Sequence, residues 1–155
     1  MISNEFMFKD AFNLDKKRNV KNTPFGKFNC GGYALNTFSW YMPKRRYTMT
    51  YYANSTSEMR RKTKRCVQIM LEDFPDLRVI KSIKELQKDE YALAFRLGTQ
   101  IDDFHYIKRA RNGKWHSKYG ASFIARIPKA NIFDTWYNPI GEAYDGEIVL
   151  FAKKF

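Results

Sequence analysis

The stretches Asn29-Cys30-Gly31-Gly32-Tyr33-Ala34-Leu35 and, some 75 residues on, Asp102-Asp103-Phe104-His105-Tyr106 supply the residue types of thiol chemistry. A cysteine attacks a carbonyl as its thiolate, which a helix amino terminus or a neighbouring imidazole makes easier to form. Tyr33, Ala34, Thr37, Phe38 and Tyr41 recur at helical spacing up to Pro43, predicting a core helix of about three turns with Cys30 in its first turn. First-turn amides, together with Asn29 or Tyr33, could then hold an oxyanion. Gly31 and Gly32 are poor helix residues, so their presence beside the thiol implies a packing reason or access for a substrate backbone. Read singly, Cys30 is a small buried hydrophobe and His105 a half-buried strand residue. Their order and setting, a helix-start thiol followed by a strand imidazole, make them a candidate nucleophile and general base.

The elements that must position this pair follow from periodicity and punctuation. Residues 1–24 read as an irregular arm of aromatic anchors closed by Pro24, and the rest as part of the same single domain. After a tyrosine-rich loop over 47–54, Ser57 is expected to cap a helix over 58–74 that buries Cys66. Short strands are expected at 79–80 and 91–97, with a short helix at 82–87 between them. A hairpin over 104–111 and 114–119 turns at Asn112-Gly113, a pair suited to a two-residue type I′ turn. A strand over 122–127, a loop over 135–139 and a closing strand over 147–152 complete the chain. Helices come first and antiparallel strands later without a βαβ rhythm, so the class is α+β, with N-terminal helices packed on an antiparallel sheet. Trp115 and Trp136 read as core or rim rings.

Charge offers a second theme. Lys and Arg outnumber Asp and Glu by 28 to 16, for a formal charge of +12. Much of the excess lies in Lys44, Arg45, Arg46, Arg60, Arg61, Lys62, Lys64 and Arg65, set against the single acid Glu58. Such a band is either a solvated face or a surface for RNA, DNA or an acidic nucleoprotein, with Tyr47, Tyr51 and Tyr52 available to stack on bases. Two cysteines, Cys30 and Cys66, and two histidines, His105 and His116, fall short of a zinc pattern. Both thiols are expected to be reduced, and no metal or organic cofactor is expected. The first ten residues lack the marks of an export signal, and no apolar run approaches membrane-spanning length. A soluble, cytoplasmic protein is therefore expected, in a bacterial or phage-infected cell, with no membrane partner and an oligomeric state left open.

The blocks Asn29–Thr37, Asp102–Gly120 and Tyr137–Lys154 resemble papain-like cysteine peptidases, particularly the compact NlpC-type branch. They are also similar to small phage and bacterial proteins with an Asn-Cys-x-x-Tyr-Ala-Leu stretch and an Asp-x-His-x-x-Arg stretch followed by Gly-x-Trp-Ser-His-Lys. The resemblance runs from Asn29 to the C-terminus and leaves 44–90 unmatched. It implies a nucleophile at Cys30, a general base at His105, an orienting polar group on the next strand, and a protein or peptide-like substrate. The chain departs from the pattern at Trp115-His116-Ser117-Lys118, where the histidine has moved by one position and so to the opposite face of a strand. A two-residue turn would set His116 opposite Arg109, roughly 13 Å along from His105. Asn138 and Asp103 are then rival orienters. The competing reading is a non-catalytic, basic, phage-type binder of nucleic acid or nucleoprotein, in the manner of an anti-CRISPR inhibitor.

Overall fold

A computed structural model describes residues 25–45, 49–121, 124–127 and 132–155. The expected arm over 1–24 lies outside the described residues. The fold is α+β. Helices α1 (Cys30–Ala34) and α2 (Thr56–Asp73) precede eight strands: β1 (Leu77–Ile80), β2 (Glu90–Gly98), β3 (Asp103–Arg109), β4 (Trp115–Lys118), β5 (Ile124–Arg126), β6 (Trp136–Tyr137), β7 (Ala143–Tyr144) and β8 (Val149–Lys154). Six strands form one antiparallel sheet in the order β1-β8-β2-β3-β4-β5, and β6 pairs with β7 in a small second sheet.

Strand alternation divides the main sheet into two faces. One carries Leu93, Phe95, Leu97, Phe104, Tyr106 and Phe151, which pack against Cys66 and Met70 of α2 and against α1. The other carries Ala92, Ala94, Ile107, Leu150 and Ala152, covered by Ile132 and by Trp136 and Tyr144 of the small sheet. The helix α2 starts at Ser55, whose side chain accepts from the Glu58 N–H at 3.1 Å. Ser57 lies within its first turn, so the cap falls two residues before the expected one. Ser82 caps a single 3-10 turn over Ile83–Glu85 in a reciprocal box with Glu85.

The expected three-turn helix after Cys30 is shorter than its periodicity suggests. It ends at Ala34, and Asn36 and Phe38 take left-handed φ values of 57° and 51°. The chain then folds back over the helix's first turn. A Cβ on Gly32 would lie 1.8 Å from the Ser39 carbonyl oxygen, and one on Gly31 would lie 2.8 Å from that of Tyr41. The glycine pair is thus required by close backbone approach. Tyr41, counted from sequence as a helical position, belongs to this returning arm.

The hairpin also differs in register. Ala110 N–H donates to the Lys114 carbonyl and Gly113 N–H to that of Ala110, with Gly113 at φ 83°. This is a three-residue loop with a left-handed glycine, the other common hairpin geometry for this sequence type. The extra residue pairs Trp115 with Arg109, His116 with Lys108 and Ser117 with Ile107.

Candidate active site

Pairing between β3 and β4 stops at Ile107 and Ser117, and beyond that point the edge of β3 is open. A cavity of about 290 Å³ lies there, lined by Asn29, Cys30, Asp103, Phe104, His105, Tyr119, Asn138 and Tyr144, with Trp40 and Met42 among its other walls. Side chains from both faces of the sheet reach it because it sits at the sheet's interrupted edge. The backbone N–H groups of Tyr106 and Gly31 lie close enough to the Cys30 sulfur to favour its charged form. The sulfur therefore lies along the open edge of β3, near the peptide unit that follows His105.

His105 is held on all sides. Its ring stacks between Tyr119 and Tyr144, each with a centroid 4.9 Å away, and meets Trp136 edge-on at 6.2 Å. Its Nε2 lies 2.5 Å from the Ser117 hydroxyl. Proton directions along this network can be followed from its far end. The single Tyr119 hydroxyl proton goes to the Tyr137 carbonyl at 3.1 Å, a group that only accepts. The Tyr119 oxygen is thereby left to accept, and the Ser117 hydroxyl is its neighbour. A Ser117 proton given to Tyr119 would make Ser117 accept from His105, with the ring proton on Nε2 and the lone pair on Nδ1.

Burial sets the resting charges. It pushes the Cys30 thiol up to about 12, with the Asp103 charge adding to the rise and the Tyr106 and Gly31 amides opposing it. Burial alone pushes His105 down to about 3. The resting pair at neutral pH is a thiol and a neutral imidazole, and a five-residue helix provides little dipole to alter that. Cys66, fully buried in α2, is likewise pushed up to about 12 by burial, and both cysteines are free thiols.

The remaining expected site residues have other employment. Asn29 caps α1 through Gly32 N–H at 3.0 Å and clasps the returning arm, accepting from Tyr41 N–H at 3.0 Å and donating to its carbonyl at 2.7 Å. Asn138 lines the cavity, but its side chain binds Ile140 and Glu142 in its own turn. Asp103 accepts from its neighbour Phe104 N–H and from the Tyr144 hydroxyl at 3.1 Å, so it reaches His105 only through the Tyr144 ring. Its carboxyl is raised by burial. His116 does not line the cavity. It sits opposite Lys108, on the α1 side of the sheet, because the longer loop and strand alternation place Ser117 on the His105 side. Ser117 therefore holds the orienting position, which sequence reasoning assigned to other residues; its parity with His105 was the available signal, hidden by the loop length.

The basic residues divide. Arg45 makes a forked ion pair with Asp73 at 2.5 and 2.9 Å and approaches Glu72, and Arg60 lies 3.9 Å from Glu147. Lys44 is half-exposed. Arg61, Lys64 and Arg65 line a separate groove on α2. Arg46 and Tyr47 lie outside the described residues, and Tyr51 is buried against Phe104 rather than available for stacking. Among the described residues no three His, Cys, Asp or Glu side chains are grouped to hold a metal ion, and no helix is long and apolar enough to cross a membrane. No family model, curated protein or solved structure matches the chain.

Proposed function

We propose that the protein is a papain-like thiol hydrolase or acyl transferase that cleaves an amide, peptide or isopeptide bond through Cys30 and His105. The observation that carries this reading is the shared cavity of the two side chains, with the imidazole held at Nε2 by Ser117. Substrate entry brings a carbonyl carbon to the sulfur. His105 Nδ1 takes the thiol proton as the S–C bond forms, and the buried imidazolium and tetrahedral oxyanion arise together in a poorly screened site. The Cys30 backbone N–H supplies an oxyanion contact. The C–N bond then breaks, His105 returns the proton to the departing amine, and an acyl-thioester remains for water or a second amine.

A buried neutral thiol fits a base-assisted mechanism better than a preformed ion pair. The test is labelling by a thiol-directed electrophile carrying a peptide-like acyl group. Cys30 is expected to be modified in preference to Cys66, and Cys30→Ala or His105→Ala to abolish both labelling and peptide or isopeptide cleavage while the fold persists. Equal labelling of the two cysteines, or cleavage that survives Cys30→Ala, would overturn the reading.

A further inference from the structure

The helix α2 buries Thr63, Cys66, Ile69 and Met70 and turns a row of cations outward. Arg61, Lys64 and Arg65 are spaced so that they share one helical face, and with Lys62, Gln68 and Thr50 they line a groove of about 520 Å³ whose floor is Met49 and Ile69. No carboxylate is among the lining residues. Among the described residues Arg61, Lys64 and Arg65 enter no ion pair. This sets them apart from Arg45 and Arg60, whose charge is already answered by Asp73 and Glu147. Lys62 is tied back, donating to the Tyr52 carbonyl and to Thr50. Exposure alternates along this segment, with Tyr51 and Ala53 buried and Thr50 and Tyr52 outward, so Tyr52, with half of its surface exposed, shares the outer side with Thr50 of the groove wall.

We propose that this groove binds single-stranded nucleic acid, a site separate from the Cys30 cavity. Two guanidinium forks and an ammonium suit phosphate oxygens, and the Gln68 amide can pair with a base edge. The exposed Tyr52 ring is the feature that favours unpaired bases over an acidic polypeptide, since a base stacks on it and a carboxylate gains nothing from its face. Lys62, held by main chain and hydroxyl, keeps one wall of the groove in place for the strand.

The test uses the full chain and a fluorescent oligothymidylate, titrated over a range of salt. Each phosphate contact in a single strand contributes about 0.7 to the slope of log affinity against log salt, so the triple variant Arg61→Gln, Lys64→Gln, Arg65→Gln is expected to lose about 2 from that slope. Tyr52→Ala is expected to weaken binding about tenfold without changing the slope. Electrophile labelling of Cys30 in both variants serves as the check that the fold and the thiol site are intact. The proposal is overturned by a slope that the triple substitution leaves unchanged, by tighter binding of a duplex of equal length, or by polyglutamate displacing the oligonucleotide at equal charge concentration.

Discussion

Tyr119 gives its one proton to the Tyr137 carbonyl, so a Ser117 proton given in turn to Tyr119 would fix His105 as the Nε2–H tautomer. Tyr119→Phe keeps the ring that stacks on the imidazole and frees the Ser117 proton to turn toward Nε2. The ring proton can then move to Nδ1, the nitrogen required as base. Turnover is expected to fall about tenfold with KM little changed, because the geometry survives and the protonation pattern does not. Nitrogen chemical shifts of His105 would report the tautomer directly, and an unchanged Nε2–H form in Tyr119→Phe would remove this account. Ser117→Ala is expected to cost more, about a hundredfold in turnover, with Ser117→Thr restoring part of it by returning a hydroxyl. The thiol adds a prediction of its own. Since burial holds Cys30 near 12, its alkylation by iodoacetamide should climb through pH 9 to 11 with no plateau below neutrality. A plateau at acidic pH would show a preformed ion pair instead.

The five-residue helix α1 derives its stability from what is wrapped around it rather than from its own length, since an isolated segment so short does not form. Asn29 and the glycine pair bind it to the returning arm over 39–41. Gly32→Ala drives a methyl into backbone and is expected to destabilise the protein by about 3 kcal/mol, at the upper end of overpacking costs. Asn29→Ala, which loses an N-cap and a clasp, should cost about 2 kcal/mol. Urea midpoints measure both, and a Gly32→Ala protein as stable as the parent would contradict the close packing. The same region shows what a sequence can conceal. The thiol, the histidine strand, the hairpin and the closing strand were legible because their apolar positions alternate or recur over several residues. The length of α1 was not, because Phe38 and Tyr41 fall at helical spacing while lying on a chain that has reversed. The pair β6 and β7, two residues each, carries no period to detect. The orienting role of Ser117 was lost to one residue of loop length, since Asn112-Gly113 fits a two-residue turn as well as the three-residue loop formed here, and a single step exchanges the faces of His116 and Ser117.

At the scale of the whole molecule, His105 lies where the main sheet, the small sheet and the open end of β3 meet, and its charge state is coupled to folding. Burial lowers its pKa from 6.5 to about 3, so between those values the unfolded chain binds a proton that the folded chain refuses. The unfolded state then holds more protons, and stability must fall as pH drops from about 6.5 toward 3, at a slope approaching 1.4 kcal/mol per pH unit, roughly the value for one proton. Carboxylates with depressed pKa values act in the same direction but at lower pH. Glu90, forked to Arg78 at 2.7 and 2.9 Å, and Asp73, held by Arg45, lose their contributions only as pH falls through and below the ordinary carboxylate range. The interval from pH 6.5 to 4.5 lies above those losses, and because the Asp103 carboxyl, raised by burial, contributes with the opposite sign, the imidazole's share is read as the difference between the parent and His105→Gln. Urea unfolding across it is expected to show a steep loss in the parent and a slope smaller by about one proton in His105→Gln, whatever the absolute stability of that variant. A parent slope matched by His105→Gln would mean that the ring accepts a proton in the folded state, through water admitted by the cavity. The ring would then keep a pKa near that of free imidazole, about 6.5, and a fraction of the protein near neutrality would reach the thiolate through an ion pair rather than through proton transfer on substrate entry.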